Sequence, residues 1–111
     1  MAQKHGTQNV SELTGKEFDS FTKSGLVLVD FFADWCMPCV MMAPVIEDMA
    51  KKFRGKVKFG KIDVDENNAL AQKFRIFSIP HFILFKDGEM VEKFVGSRSE
   101  EDFEEKLKRF L

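Results

Sequence analysis

At 111 residues, 44% of them hydrophobic, the chain falls in the range of one domain, 1–111, and can bury a core without disulfide staples. Seventeen basic and 18 acidic residues leave a net charge of -1, so no single-sign field exists to draw in nucleic acid or an anionic membrane. The polar start, Met1 to Val10, has no apolar core of a secretory signal, and the longest apolar run, Val40 to Ile46, is far too short to span a bilayer; both point to a soluble, cytoplasmic protein without a membrane partner.

Asn9 to Leu13 reads as a short edge strand. Thr14-Gly15-Lys16-Glu17 then has the spacing of a capping box, which predicts a helix turning Phe18 and Phe21 inward and stopping near Gly25. Leu26 to Ala33 is a dense apolar run rich in Val and Phe, suited to a central parallel strand buried on both faces, with Asp30 as its misfit. From Pro38 to about Arg54, Met41, Met42, Val45, Ile46, Met49 and Phe53 recur at helical spacing, and Pro44 is expected to kink that helix. Val57 to Val64 follows as a strand, and a strand-helix-strand unit of this length implies a right-handed parallel crossover. Asn67 to Phe74 reads as a short helix, Ser78-Ile79-Pro80 as a break, and His81 to Phe85 as a further strand. Asp87-Gly88 supplies a tight hairpin turn into Met90 to Val95. Ser99 then caps a last helix, with Asp102 at its third position and Phe103, Leu107, Phe110 and Leu111 along its inner face. The order is β-α-β-α-β-α-β-β-α, an α/β chain without an internal repeat or a linker.

Both cysteines fall in Trp35-Cys36-Met37-Pro38-Cys39, where the apolar strand becomes a helix. Chemistry in such sheets gathers at the carboxyl ends of the strands. Pro38 in the first helical turn costs no hydrogen bond, and amide dipoles aimed at Cys36 favour its thiolate, the reactive form. Cys36, on an exposed helix start, is therefore the candidate nucleophile that forms a mixed disulfide, and Cys39, one turn in, the shielded thiol that resolves it. The other readings of the pair are inert core thiols and a metal site. A tetrahedral zinc site needs four ligands, yet His5 and His81 are the only histidines.

Asp30 sits inside an apolar strand, where burial raises a carboxyl pKa toward neutrality. Its parity matches Leu26, Leu28 and Phe32, while Lys61 shares parity with Val57 and Phe59 in the neighbouring strand, so the two charges can point into one layer. Away from a dithiol such a pair would read as a structural ion pair. His81 has two readings, a titrating group beside the dithiol and a hydrogen-bonded structural histidine.

The chain resembles the thioredoxin family from about Val10 to Phe110. The resemblance is carried by Val29-Asp30-Phe31, Ala33-Asp34-Trp35-Cys36 with Pro38-Cys39, Ala43-Pro44, Lys61-Ile62-Asp63-Val64-Asp65, Ile79-Pro80, Phe85-Lys86-Asp87-Gly88-Glu89 and Val95-Gly96. Met37, Val40, Phe32 and His81 depart from the commonest pattern, where Gly, Lys, Trp and Thr are frequent, and none of the four removes a catalytic group. The family implies a thioredoxin fold, with a central mixed sheet of four to five strands flanked by helices on both faces. It implies a protein disulfide oxidoreductase that reduces client disulfides through Cys36 and Cys39, needs no bound cofactor or metal, acts as a monomer and is recycled by a thioredoxin reductase. Asp30 would accept the proton of the buried cysteine, directly or through water, with Lys61 modulating it. Trp35, Met37, Pro38, Phe77, Ile79, Pro80, Val95 and Gly96 would form an apolar docking rim, and the Ile79-Pro80 bond would be cis, presenting the Ile79 backbone to a substrate strand. For Phe77 and Val95 the alternative is ordinary core. Two rivals remain: an oxidant or isomerase on the same fold, and a binding subunit in which the dithiol is dispensable.

Overall fold

The computed structural model describes residues 6–111; His5 lies outside them. Nine elements follow in the expected order: β1 (Val10–Glu12), α1 (Gly15–Thr22), β2 (Leu26–Phe32), α2 (Met37–Lys52), β3 (Lys58–Asp63), α3 (Asn68–Lys73), β4 (His81–Lys86), β5 (Glu89–Val95) and α4 (Glu100–Lys108). The five strands make one mixed sheet in the order β1-β3-β2-β4-β5, the first two pairings parallel and the last two antiparallel.

β2 is the centre of the sheet, and all seven of its residues are buried, as a strand covered on both faces requires. Its alternating side chains serve two cores. Leu26 and Leu28 pack with Met42, Ile46 and Met49 of α2 and with Phe103 and Leu107 of α4. Val27, Val29 and Phe31 pack on the opposite face with Phe18 of α1, and Phe74 at the end of α3 joins them. Gly60 in β3 lets α1 close on that face, since a Cβ there would lie 2.8 Å from Leu13 Cδ1 and 3.0 Å from the Phe21 ring.

Local signals set the element ends. Glu17 reaches back to accept from the Thr14 backbone N–H (2.9 Å), and Ser99 Oγ accepts from the Asp102 N–H (3.2 Å). The turn between β4 and β5 has Asp87 and Gly88 both at positive φ, and Asp87 Oδ1 also accepts from the Gly25 N–H (2.8 Å), tying the hairpin to the start of β2. α2 is continuous from Met37 to Lys52 through Pro44, which cannot donate an amide bond to the preceding turn.

Two inward assignments need correction. Met41 is 69% exposed, because the stripe that meets the sheet is Met42, Ile46 and Met49, and Met41 lies one residue around the helix. Leu111 is exposed, since α4 ends at Lys108 and the chain leaves the face that holds Phe103 and Leu107. Phe21 and Phe110 do turn inward, packing at the margins of their cores while staying partly buried.

Candidate active site

The carboxyl end of β2 runs through Ala33 and Asp34 into the first turn of α2, which brings Cys36 to the N-cap of that helix. The structure joins Cys36 to Cys39 as a disulfide, with a Cα–Cα separation of 5.3 Å. The Cys39 N–H donates to Cys36 Sγ (3.2 Å), so a free amide of the first turn is already aimed at this sulfur. A helix start that satisfies its amide on a sulfur favours negative charge on that atom. The expectation of an exposed Cys36 is corrected: it is 3% exposed in the disulfide state, packed with Cys39, Phe32 and Ala33 and bordered by Val64 and Ile79. Three separate stretches of chain close over the sulfur.

Asp30 and Lys61 stand opposite each other in the parallel register of β2 and β3. Parity puts Asp30 on the α2 face of the sheet, between Leu28 of the main core and Phe32 of the dithiol cluster. Asp30 is 2% exposed, and its Oδ1 has no hydrogen-bond partner. Burial pushes its pKa up to about 7, and the Lys61 charge pulls weakly the other way. The Lys61 ammonium lies over the Phe32 ring at 4.8 Å from its centroid. A carboxyl that is half protonated near neutral pH can take up or release a proton under ordinary conditions.

Of the residues expected to form a docking rim, Trp35 is 70% exposed, Phe77 88% and Met37 65%, and Pro38 and Val95 are also exposed. The core alternative for Phe77 and Val95 is thus excluded. Ile79 and Gly96 are partly buried, and Pro80 is buried. The Ile79-Pro80 bond is cis, and the Gly96 N–H donates to the Pro80 carbonyl (2.8 Å), with Gly96 at φ +89°. This bond holds the turn before β4 beside the end of β5.

His81 follows Pro80 but turns away from α2. Its ring meets Phe31 edge-on, with centroids 6.4 Å apart, on the α1 and α3 face of the sheet. It is buried, and neither ring nitrogen makes a hydrogen bond of good geometry. Burial, then the charge of Lys93, lowers its pKa, while the Ser78 backbone opposes them from outside hydrogen-bonding geometry. The structure does not bring this ring to Cys36.

Two features escaped the sequence reading. Trp35 Nε1 donates to Asp65 Oδ2 (2.8 Å), and Asp65 is fixed in turn because Asp63 Oδ1 accepts from the N–H groups of Asp65 (2.9 Å) and Glu66 (3.3 Å). An aspartate bonding backbone amides two and three residues on is a turn pattern, and its sequence signal is an Asp where a strand ends. The second is an exposed apolar stripe on α2, Met37, Val40, Met41 and Pro44, at i, i+3, i+4 and i+7. Among the described residues one acidic group, Glu12, Asp63 and Glu66, has ligand atoms within 4.8 Å of one another, but Asp63 Oδ1 is already taken by two amides. No helix among the described residues is long and apolar enough to cross a membrane.

Comparison with known proteins agrees with this geometry. The profile of the Thioredoxin family matches residues 9–109. The thioredoxins of Staphylococcus aureus strains MW2 and COL are each 46% identical over 102 residues, which cover 92% of this chain and 98% of theirs. Among solved structures, a mutant thioredoxin from Halobacterium salinarum NRC-1 superposes with a TM-score of 0.84 at 38% identity, covering 94% of this chain and 95% of that one.

Proposed function

The chain belongs to the thioredoxin family and is a thiol-disulfide oxidoreductase, and from that premise we propose how its own residues divide the work. Cys36 is the nucleophile. Its thiolate attacks one sulfur of a client disulfide, the client S–S bond breaks, and a mixed disulfide forms as the other client sulfur leaves as thiolate. Cys39 then loses its proton to Asp30, attacks Cys36 Sγ and expels the second client sulfur. The client gains two electrons and two protons, and the dithiol is left as the Cys36-Cys39 disulfide. Lys61 keeps Asp30 from rising further and so keeps its carboxylate available as a base near neutral pH. Electrons are carried on the thiols themselves, without a cofactor or metal.

Trp35, Met37, Pro38, Ile79, Pro80, Val95 and Gly96 bind the client around the disulfide, Trp35 and Met37 as apolar contacts and the Pro80-Gly96 pair as the frame. The partners are disulfide-containing proteins and a thioredoxin reductase that returns the dithiol, and the chain works as a monomeric single domain in the cytoplasm. The observation that carries this reading is the sulfur at the helix start: Cys36 Sγ accepts an amide N–H of α2, while Cys39 lies a turn inside. Sub-stoichiometric iodoacetamide on the reduced protein at pH 7, followed by peptide mass spectrometry, tests it. Label on Cys36 is expected; label mainly on Cys39 reverses the roles.

A further inference from the structure

We propose that the thioethers of Met37 and Met41 are a modification site: oxidants of the peroxide class convert them to sulfoxides while the protein is in its disulfide state, and this weakens client docking without disabling dithiol exchange. The inference rests on the apolar rim proposed above. Six methionines are present in the chain. Met42 and Met49 are buried against the sheet, whereas Met37 and Met41 are among the most exposed apolar side chains of the described residues. Four residues apart, they share one face of the first turns of α2, and with Val40 and Pro44 they extend an apolar stripe outward from inside the disulfide ring. Met90 is also exposed, but it pairs with Phe85 at the hairpin end of the sheet, away from Cys36.

The chemistry follows from which sulfurs are available. With Cys36 and Cys39 joined, neither offers a thiolate, and the exposed thioethers are the nucleophilic sulfurs left at this surface. A thioether lone pair attacks one oxygen of hydrogen peroxide, the O–O bond breaks, and an S–O bond forms. The displaced hydroxide takes a proton to leave as water, so the sulfur loses two electrons and the peroxide gains them. A flexible apolar side chain becomes a polar, chiral one, and covering that sulfoxide with an apolar client costs free energy unless a donor meets it. The disulfide and the Asp30-Lys61 pair lie beneath this surface and are not touched by the change.

The test treats the full-length disulfide form with hydrogen peroxide and follows oxygen incorporation by peptide mass spectrometry. The dithiol is then regenerated with dithiothreitol, and reduction of insulin is compared with reduction of the small disulfide dithiobis-nitrobenzoate. Oxygen is expected on Met37 and Met41 well before Met42 and Met49. The KM for insulin should rise about fivefold, the factor for roughly 1 kcal/mol, with the rate on the small disulfide held. In a Met37→Leu, Met41→Leu variant, whatever its starting KM, peroxide should add no further rise. Equal oxidation of Met42 and Met49, or parallel loss on both substrates, overturns the inference. A Met37→Gln, Met41→Gln variant separates its failure from failure of the rim: a raised KM in that variant with no effect of oxidation sinks the inference alone. An unchanged KM in both sinks the rim as well.

Discussion

Two aspartates on neighbouring strands are buried almost equally, Asp30 at 2% exposure and Asp63 at 3%, and the chain treats them in opposite ways. Asp63 closes β3 and spends Oδ1 on two backbone N–H groups of the following turn. Asp30 sits in mid-strand under α2, where every backbone amide is committed to the sheet, and its Oδ1 is left without a donor. The first is a structural group whose removal would orphan two amides. The second is a buried acid that costs stability and is kept at a pKa where a proton can move. Burial alone therefore says little about what an acid is for; the decisive fact is whether local backbone geometry supplies donors.

The largest effect is expected at Asp30. Its folded pKa lies near 7 against an ordinary value of 3.8, so the native state holds its proton over a window in which the unfolded chain has released it. Its contribution is fully present below about pH 4, is lost progressively as pH rises through 7, and changes no further above that. Asp30→Asn should thus gain on the order of 2 kcal/mol or more near pH 8, a gain that shrinks toward zero near pH 4. Urea midpoints across pH would show this, with slower insulin reduction around neutrality. A midpoint that falls in the variant, with reduction unaltered, would erase the contrast between the two acids. Asp63→Ala should do the reverse and lose about 2 kcal/mol, with Asp63→Asn losing less because its amide oxygen still accepts. A neutral outcome for Asp63→Ala would mean that water replaces the carboxylate at the turn.

Smaller effects sharpen the same comparison. His81 is a third buried titratable group without a hydrogen-bond partner, of opposite charge type. Its folded pKa is depressed, so the stability it confers is present above 6.5 and is lost as pH falls below it, opposite in slope to the Asp30 effect. His81→Phe should flatten the acid side of the stability curve and leave the neutral side alone; an unchanged acid limb would show that the ring is solvated. The smallest change is expected for Lys61→Met. Removing the charge that lowers the Asp30 pKa should move the inflection in the pH profile of insulin reduction upward, with little change in the urea midpoint.

Much of the fold was legible because its signals are local: the dense run of β2, the capping box of α1, the Ser99 cap of α4, the Asp87-Gly88 turn and the proline of α2 each act within a few residues. The Asp30-Lys61 pairing was legible too, since a period of two fixes the face and neighbouring strands fix the partner. Cys36 was misjudged as exposed because its cover comes from Phe32, Val64 and Ile79, three stretches that meet only in the folded sheet. Met41 failed for a different reason. α2 carries two apolar stripes, and periodicity marks both without saying which one the sheet covers. The turn role of Asp63 was not read, because the groups it accepts from are backbone amides that any residue at 65 and 66 would supply.

The hydrogen bond from the Trp35 indole to Asp65 has an optical consequence. Trp35 is the sole tryptophan of the chain, there is no tyrosine, and the 13 phenylalanines absorb too far into the ultraviolet to interfere. Light near the red edge of protein absorption therefore excites one chromophore, anchored at one end and next in sequence to Cys36 of the disulfide. A disulfide accepts an electron from an excited indole more readily than two thiols do, so emission should brighten when the bond is reduced. The unlabelled protein thus carries its own fluorescent readout of whether it is charged with electrons, and a stopped-flow trace of that signal would time each exchange as it happens.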